Sequence, residues 1–176
     1  LIGASSNKKI NEIDINTDFR IINKALRIIE GAYRKAPFFE LVQPIIKQIL
    51  KCEKSNLSDY LRNSIEILCD YIGSRTELIS SSTLDKNCIK KGQEKVIAIC
   101  ELLGATEYYN AIGGRQLYSH NEFGNRGINL KFLEPKKIEY CQFGNTFQEN
   151  LSILDVMMFN SKDRIQEYLN EYRLID

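Results

Sequence analysis

A chain of 176 residues with 43% hydrophobic content is long enough to bury one sizeable core. Its 24 Lys plus Arg against 23 Asp plus Glu leave a formal charge of +1 with no block of like charge, which argues against a nucleic-acid or anionic-membrane binder. No apolar run approaches the roughly 18 residues that span a bilayer, and the opening lacks a signal-peptide layout, so a cytoplasmic protein with no membrane span is expected.

Cys52, Cys69, Cys88, Cys100 and Cys141 are odd in number and contain no Cys-x-x-Cys pair. Neither a disulfide framework nor a zinc site is indicated, and reduced, mostly buried thiols are expected. The single histidine, His120, excludes chemistry that needs several imidazoles. Ser119 and Glu122 around it have capping-box spacing, which reads as a surface position in the first turn of a helix.

In chain order, Ile10, Ile13 and Ile15 read as a short strand. Asn16 or Thr17 then caps a helix in which Phe19, Ile22, Leu26, Ile29 and Tyr33 recur at steps of three and four. Ile21, Ala25, Ile28 and Ala32 widen that stripe, so this helix is expected to pack on two sides. Ala36-Pro37 ends it. Phe38, Val42, Ile45 and Ile49 form the next apolar face, with a kink expected from Pro44. A third helix runs from an Asn56 cap through Leu57, Leu61, Ile65, Leu68 and Ile72 to a Gly73 stop.

From Thr76 the pattern becomes strand, helix, strand, helix, strand, which predicts parallel units with helical crossovers. The strands are Thr76 to Ile79, Glu107 to Asn110, and Ile128 to Leu133; the helix is Gly92 to Leu103, stopped by Gly104. A turn at Gly144 and Asn145 precedes a nearly all-apolar run from Leu151 to Phe159. Ser161 then caps a last helix built on Ile165, Tyr168, Leu169 and Tyr172. The expected fold class is α/β: a small, mostly parallel sheet flanked by helices, with about three helices inserted in the N-terminal half.

Three stretches offer chemistry. In Thr106 to Tyr118 an aromatic strand runs into Gly113-Gly114 and then a helix, which gathers Asn110, Arg115, Gln116 and Tyr118 beyond a strand end. The glycines either admit a phosphate or carboxylate to the backbone or merely supply positive φ in a turn. Asp155, with Ser152 three residues before it, lies in a very apolar run and needs a partner there. It is either a base or ligand-amine acceptor, or a helix-end hydrogen-bonder. Ile79-Ser-Ser-Ser-Thr83 is similar to the triphosphate-gripping loop of nucleotidyltransferases, with Ser81 and Ser82 as ligand contacts, but also reads as a plain turn. Lys91, Gln93 and Glu94 open a helix and are expected to be solvated, and Lys35 reads as a surface lysine.

Tyr33-Arg-Lys-Ala-Pro-Phe-Phe39, Lys91-Gly-Gln-Glu94, Tyr109-Asn-Ala-Ile-Gly-Gly114 with Gln116-Leu-Tyr118, Tyr140-Cys-Gln142, and Leu151-Ser-Ile-Leu-Asp155 with Met158-Phe-Asn160 occur together in this order. In this set the chain resembles the WbqC-like proteins of bacteria. The resemblance implies a single WbqC-like domain over residues 1–176, lacking the family's N-terminal strand and its Gln-Pro/Phe-Pro segment. It also implies a place in surface-polysaccharide (O-antigen) biosynthesis and transfer of an acyl or aminoacyl group, such as glycine, to a sugar. In that role Asp155 is the acid/base or amine-binding group. Asn110, Gly113 and Gly114 hold an anionic ligand; Tyr118, Tyr140 and Gln142 shape the pocket, with Gln116 and Ser152 as further ligand contacts. The expected partners are a small-molecule or sugar substrate, nucleotide-linked in one version, and other polysaccharide-biosynthesis enzymes. No cofactor or metal is specified. The alternatives are a non-catalytic module that binds a nucleotide-sugar or a partner, and a nucleotidyltransferase relative.

Overall fold

The computed structural model describes residues 1–84, 91–144 and 146–176. Cys88 and Asn145, named above, lie outside the described residues. The chain divides into two compact units: Leu1–Leu78 with Glu139–Tyr168, and Ile79–Ile138 with Leu169–Asp176.

The first unit is helical. Instead of an opening strand, Ile10–Glu12 forms one turn of 3-10 helix, and only Asp14 makes isolated bridges, to Ile2 and Asn56. Helix α1, Phe19–Tyr33, is capped by Asp18, whose side chain accepts from the Arg20 N–H at 2.8 Å; Asn16 accepts from the Asp18 N–H one step earlier. Helix α2, Phe39–Leu50, is one helix that contains Pro44. Helix α3, Leu57–Ile72, has the expected ends: Asn56 accepts from the Ser58 N–H at 3.0 Å, and Gly73 takes φ +77° at the stop. No strand precedes these helices among the described residues, so they lead the sheet in sequence and do not interrupt it.

Helices α6, Ile153–Phe159, and α7, Lys162–Tyr168, complete the unit. Its core joins Ala36, Phe39, Val42 and Ile46 to Met157, Met158 and Ile165, with Leu26, Ile29 and Tyr33 of α1 packed against them. The Phe38 N–H donates to the Met158 carbonyl at 3.1 Å, which ties the Pro37 loop to α6. The second stripe of α1 finds no such burial. Ile21 and Ile28 stay more than half exposed, so α1 packs on one side among the described residues.

The second unit holds the sheet. Helix α4, Gly92–Leu102, ends at Gly104 with φ +65°, and the Ala105 N–H returns to the Cys100 carbonyl at 2.8 Å. Strand β1, Glu107–Ala111, pairs in parallel with β2, Asn129–Pro135; between them come a 3-10 turn, Ile112–Leu117, and the short helix α5, His120–Gly124. Strand β3, Tyr172–Ile175, pairs antiparallel with β2 on its other side, so the three-stranded sheet is mixed. Phe123, Ile128, Leu130 and Phe132 meet Ile97 and Cys100 of α4 in its core.

Two strand expectations fail here. Residues 74–80 form no strand, and Tyr172, expected in the last helix, starts β3. Strand β3 escapes pattern reading because its sheet-edge residues are mostly exposed and show no clean alternation. The thiols are also less buried than expected: of those described, only Cys100 is buried, Cys52 and Cys69 are half-buried and Cys141 is exposed.

Candidate functional site

Asp155 sits in the first turn of α6 and is 4% exposed. Ser152 is the N-cap of that helix and does not share a helical face with Asp155; its hydroxyl accepts from the Leu154 N–H at 3.0 Å. The spacing Ser152-x-x-Asp155 would suit a capping box, but the Asp155 side chain turns to other segments. Its Oδ1 accepts from the Tyr140 hydroxyl at 2.8 Å and from Gln142 Nε2 at 2.8 Å, and its Oδ2 accepts from the Tyr33 hydroxyl at 3.0 Å. A carboxylate offers about four acceptor directions. Among the described residues three are filled, and the fourth, on Oδ2, has no donor.

The three donors come from two places in the sequence. Tyr33 ends α1, and Tyr140 and Gln142 lie in an irregular stretch well before α6. Gln142 is fixed at both ends of its amide: it donates to the Gln148 carbonyl at 3.2 Å and accepts from the Gln148 N–H at 2.8 Å. Aromatic rings surround the group. Tyr140 meets Phe147 edge-on at 5.0 Å, Phe143 meets Phe159 at 4.8 Å, and Tyr33 meets Phe159 at 6.2 Å between centroids. Burial, followed by the bond to Asp155, pushes the hydroxyls of Tyr33 and Tyr140 each up to about 12. Both are therefore protonated donors at neutral pH.

At the end of α6 the buried Asn160 donates to the Val156 carbonyl at 2.9 Å and accepts from the Tyr168 hydroxyl at 3.4 Å. Four of the motif stretches, those containing Tyr33, Tyr140, Asp155 and Asn160, thus lie in the first unit. The Tyr33, Tyr140 and Asp155 stretches meet at one carboxylate.

The second unit gathers the other motif residues. Gly113 and Gly114 lie inside the 3-10 turn that follows β1 directly, and neither has positive φ. Their roles differ. A Cβ on Gly114 would come within 3.0 Å of Asn110 Nδ2 and 3.4 Å of Tyr118 Cε2, so Gly114 makes room for the Asn110 side chain. A Cβ on Gly113 would meet nothing within 4 Å. The Asn110 side chain folds back to accept from the Ala111 N–H at 2.7 Å. Gln116 is exposed, while Tyr118 packs edge-on against Tyr108 and Phe123. Burial, with bonding to Tyr118 second, raises Tyr108 to about 12. Arg115 lies close enough to Glu134 and Asp176 to help hold both carboxyls low, although Arg173 and Lys131 respectively are their main partners.

Gln93 departs from expectation. It is half-buried and accepts from the Ser119 N–H at 3.0 Å, which joins the start of α4 to the end of the Tyr118 stretch. The backbone amide of Ser119, not its hydroxyl, is thus engaged, and the Ser119 side chain makes no cap; His120 is at the surface, as expected. Ser81 and Ser82 are exposed in a turn, where Ser80 and Ser82 share a hydroxyl bond of 2.9 Å and Thr83 closes back onto the Ser80 carbonyl. The strand that a phosphate-gripping loop would follow is not formed.

Tyr33 is the member of this carboxylate cluster that pattern reading missed. Its place as the last residue of a core stripe hid it, yet a tyrosine at an inward position needs a hydroxyl partner, and that need was the available signal.

No solved structure matches the chain. It is 26% identical over 149 residues to the uncharacterized protein Rv1507c of Mycobacterium tuberculosis, an alignment that covers 84% of this chain and 63% of that protein. The chain therefore spans less than two thirds of the length of the curated relative it matches. The description of the WbqC-like protein family matches residues 2–167, across the residues of both units that carry the motifs. The chain belongs to the WbqC-like protein family.

Proposed function

We propose that the protein is a single-domain transferase of bacterial surface-polysaccharide (O-antigen) biosynthesis that moves an acyl or aminoacyl group, such as glycine, onto a sugar. The observation that carries this reading is the Asp155 carboxylate, buried and met by donors from distant motif stretches, with one acceptor direction on Oδ2 that no described residue fills. A sugar hydroxyl or amine bonded there gives up its proton as it attacks the acyl carbonyl. The new bond joins sugar to acyl carbon, and the bond to the donor's leaving group breaks. Asp155 is the base or amine acceptor, and Tyr140 and Gln142 fix its orientation. In the second unit, Asn110, Gly113 and Gly114 hold an anionic group, with Gln116 and Tyr118 beside it; Gly113 suits close approach because open space faces it. Ser81, Ser82 and Ser152 serve only as secondary polar contacts, since each already has a local turn or cap role. The test is mass spectrometry of nucleotide-sugars incubated with the protein and an activated acyl or aminoacyl donor, with Asp155→Asn as control.

A second reading is favoured by the number of bonds already made to Asp155. A carboxylate with three internal donors suits a fixed binding surface as well as it suits a base. In that reading the protein is a non-catalytic module for a nucleotide-sugar or a partner enzyme, and it binds saturably without turnover. The nucleotidyl-transfer alternative has less support, because the serine run follows no strand.

A further inference from the structure

On α1, Ile21, Ile28 and Ala32 form an exposed apolar face among the described residues, with the half-buried Ala25 between them. Ile21 is 52% and Ile28 63% exposed, and Ala32 is exposed as well. The four recur at steps of four, three and four, the spacing that keeps an apolar seam aligned with a second helix. One border of the seam runs into the half-buried stripe of Ile22, Leu26 and Ile29. The other border carries Arg20, Lys24 and Arg27.

That border is unevenly neutralised. Arg20 is paired with Asp18 at 2.8 Å, whereas Lys24 and Arg27 are exposed and make no ion pair among the described residues. Gly31 lies on the same border. A Cβ there would meet nothing within 4 Å and its φ is not positive, so the fold does not call for glycine, which weakens a helix interior. Its missing side chain leaves the helix backbone open to close approach.

We infer that this face of α1 docks an acidic amphipathic helix of a partner protein, apolar side chains filling the Ile21–Ala32 seam and carboxylates facing Lys24 and Arg27. A second copy fits poorly, because an isologous antiparallel pairing sets the basic border of one helix against the basic border of the other. A lipid surface fits poorly too. Insertion at a bilayer interface relies on bulky apolar side chains, and half of this seam is alanine.

The test uses the full chain and two labelled helical peptides with a leucine seam, one flanked by glutamates and its twin by lysines, read by fluorescence anisotropy. The glutamate peptide is expected to bind roughly tenfold or more tighter than its twin, with a strong salt dependence. Ile28→Glu should abolish that binding, and Lys24→Glu with Arg27→Glu should reverse the preference; all three sites are exposed, and thermal melts check that the variants fold. Equal binding of both peptides, or binding that survives Ile28→Glu, overturns the inference. So does sedimentation of the chain with anionic phosphatidylglycerol vesicles while neither peptide binds, or a dimer in ultracentrifugation that Ile28→Glu dissolves.

Discussion

The Tyr33 hydroxyl donates to Asp155 Oδ2 at 3.0 Å across 122 residues of sequence, fastening the end of α1 to the first turn of α6. On the other oxygen, Tyr140 and Gln142 complete the set. The consequences fall on stability, on titration and on function, and each can be measured separately.

Removing the acceptor should cost more than removing any one donor. Asp155→Ala strands two half-buried phenols and one amide hydrogen, and at the low end of the roughly 1–3 kcal/mol range for each polar group left unmet, a loss of about 2–3 kcal/mol is expected. Asp155→Asn keeps one acceptor oxygen and should lose roughly half as much. Urea unfolding of both variants checks the ranking.

Tyr33→Phe and Tyr140→Phe should each cost about 1–2 kcal/mol, since bonds to a charged acceptor lie at the stronger end of the range. The double variant should depart from additivity, because both hydroxyls share one carboxylate. A double-mutant cycle in urea measures the difference.

Alkaline pH supplies an independent readout. Tyr33 and Tyr140 are each raised to about 12, first by burial and then by Asp155. A group whose value is higher folded than unfolded supports the fold below its unfolded value, near 10 for tyrosine, and loses that support as pH rises through its folded value. Stability should therefore fall between about pH 10 and pH 12. Tyrosinate absorbance should show these two, together with Tyr108, titrating late. In Asp155→Asn, Tyr33 and Tyr140 should move only part of the way back, since burial persists, and Tyr108 should not move.

The two adjacent glycines should separate structure from ligand contact. Gly114→Ala pushes against Asn110 and Tyr118 and should destabilise by about 1 kcal/mol or more. Gly113→Ala has space and an ordinary φ, so it should be neutral or stabilising by up to about 1 kcal/mol. Loss of anion binding in a well-folded Gly113→Ala protein, measured by calorimetry with nucleotide-sugars, is the result expected if that backbone contacts ligand.

Much of the helical part was legible because its signals are local. Asn56, Gly73 and Gly104 mark helix ends by chemistry that acts within one turn, and the structure uses all three. Strands β1 and β2 were readable from their short aromatic and leucine-rich runs, Tyr108-Tyr109 and Leu130 to Leu133. Thr76 to Ile79 has strand-favouring residues but pairs with no strand among the described residues, and Tyr172 to Ile175 lies at an exposed edge, where Arg173 reaches across to Glu134. Asp155 stood out because an acid in an apolar run needs a partner, yet its partners lie as far as 122 residues away, where periodicity carries no information. The Gly113-Gly114 pair was visible, but of its two readings the positive-φ one fails, and Gly114 alone is needed for space beside Asn110.

The central claim is that Asp155 carries transfer chemistry, and the most direct measurement is product mass for the unaltered protein and Asp155→Asn, both verified as folded by circular dichroism. The unaltered protein should add the mass of the acyl or aminoacyl group to the sugar, and Asp155→Asn should not. Undiminished transfer by Asp155→Asn, or saturable binding without turnover by the unaltered protein, would contradict that claim.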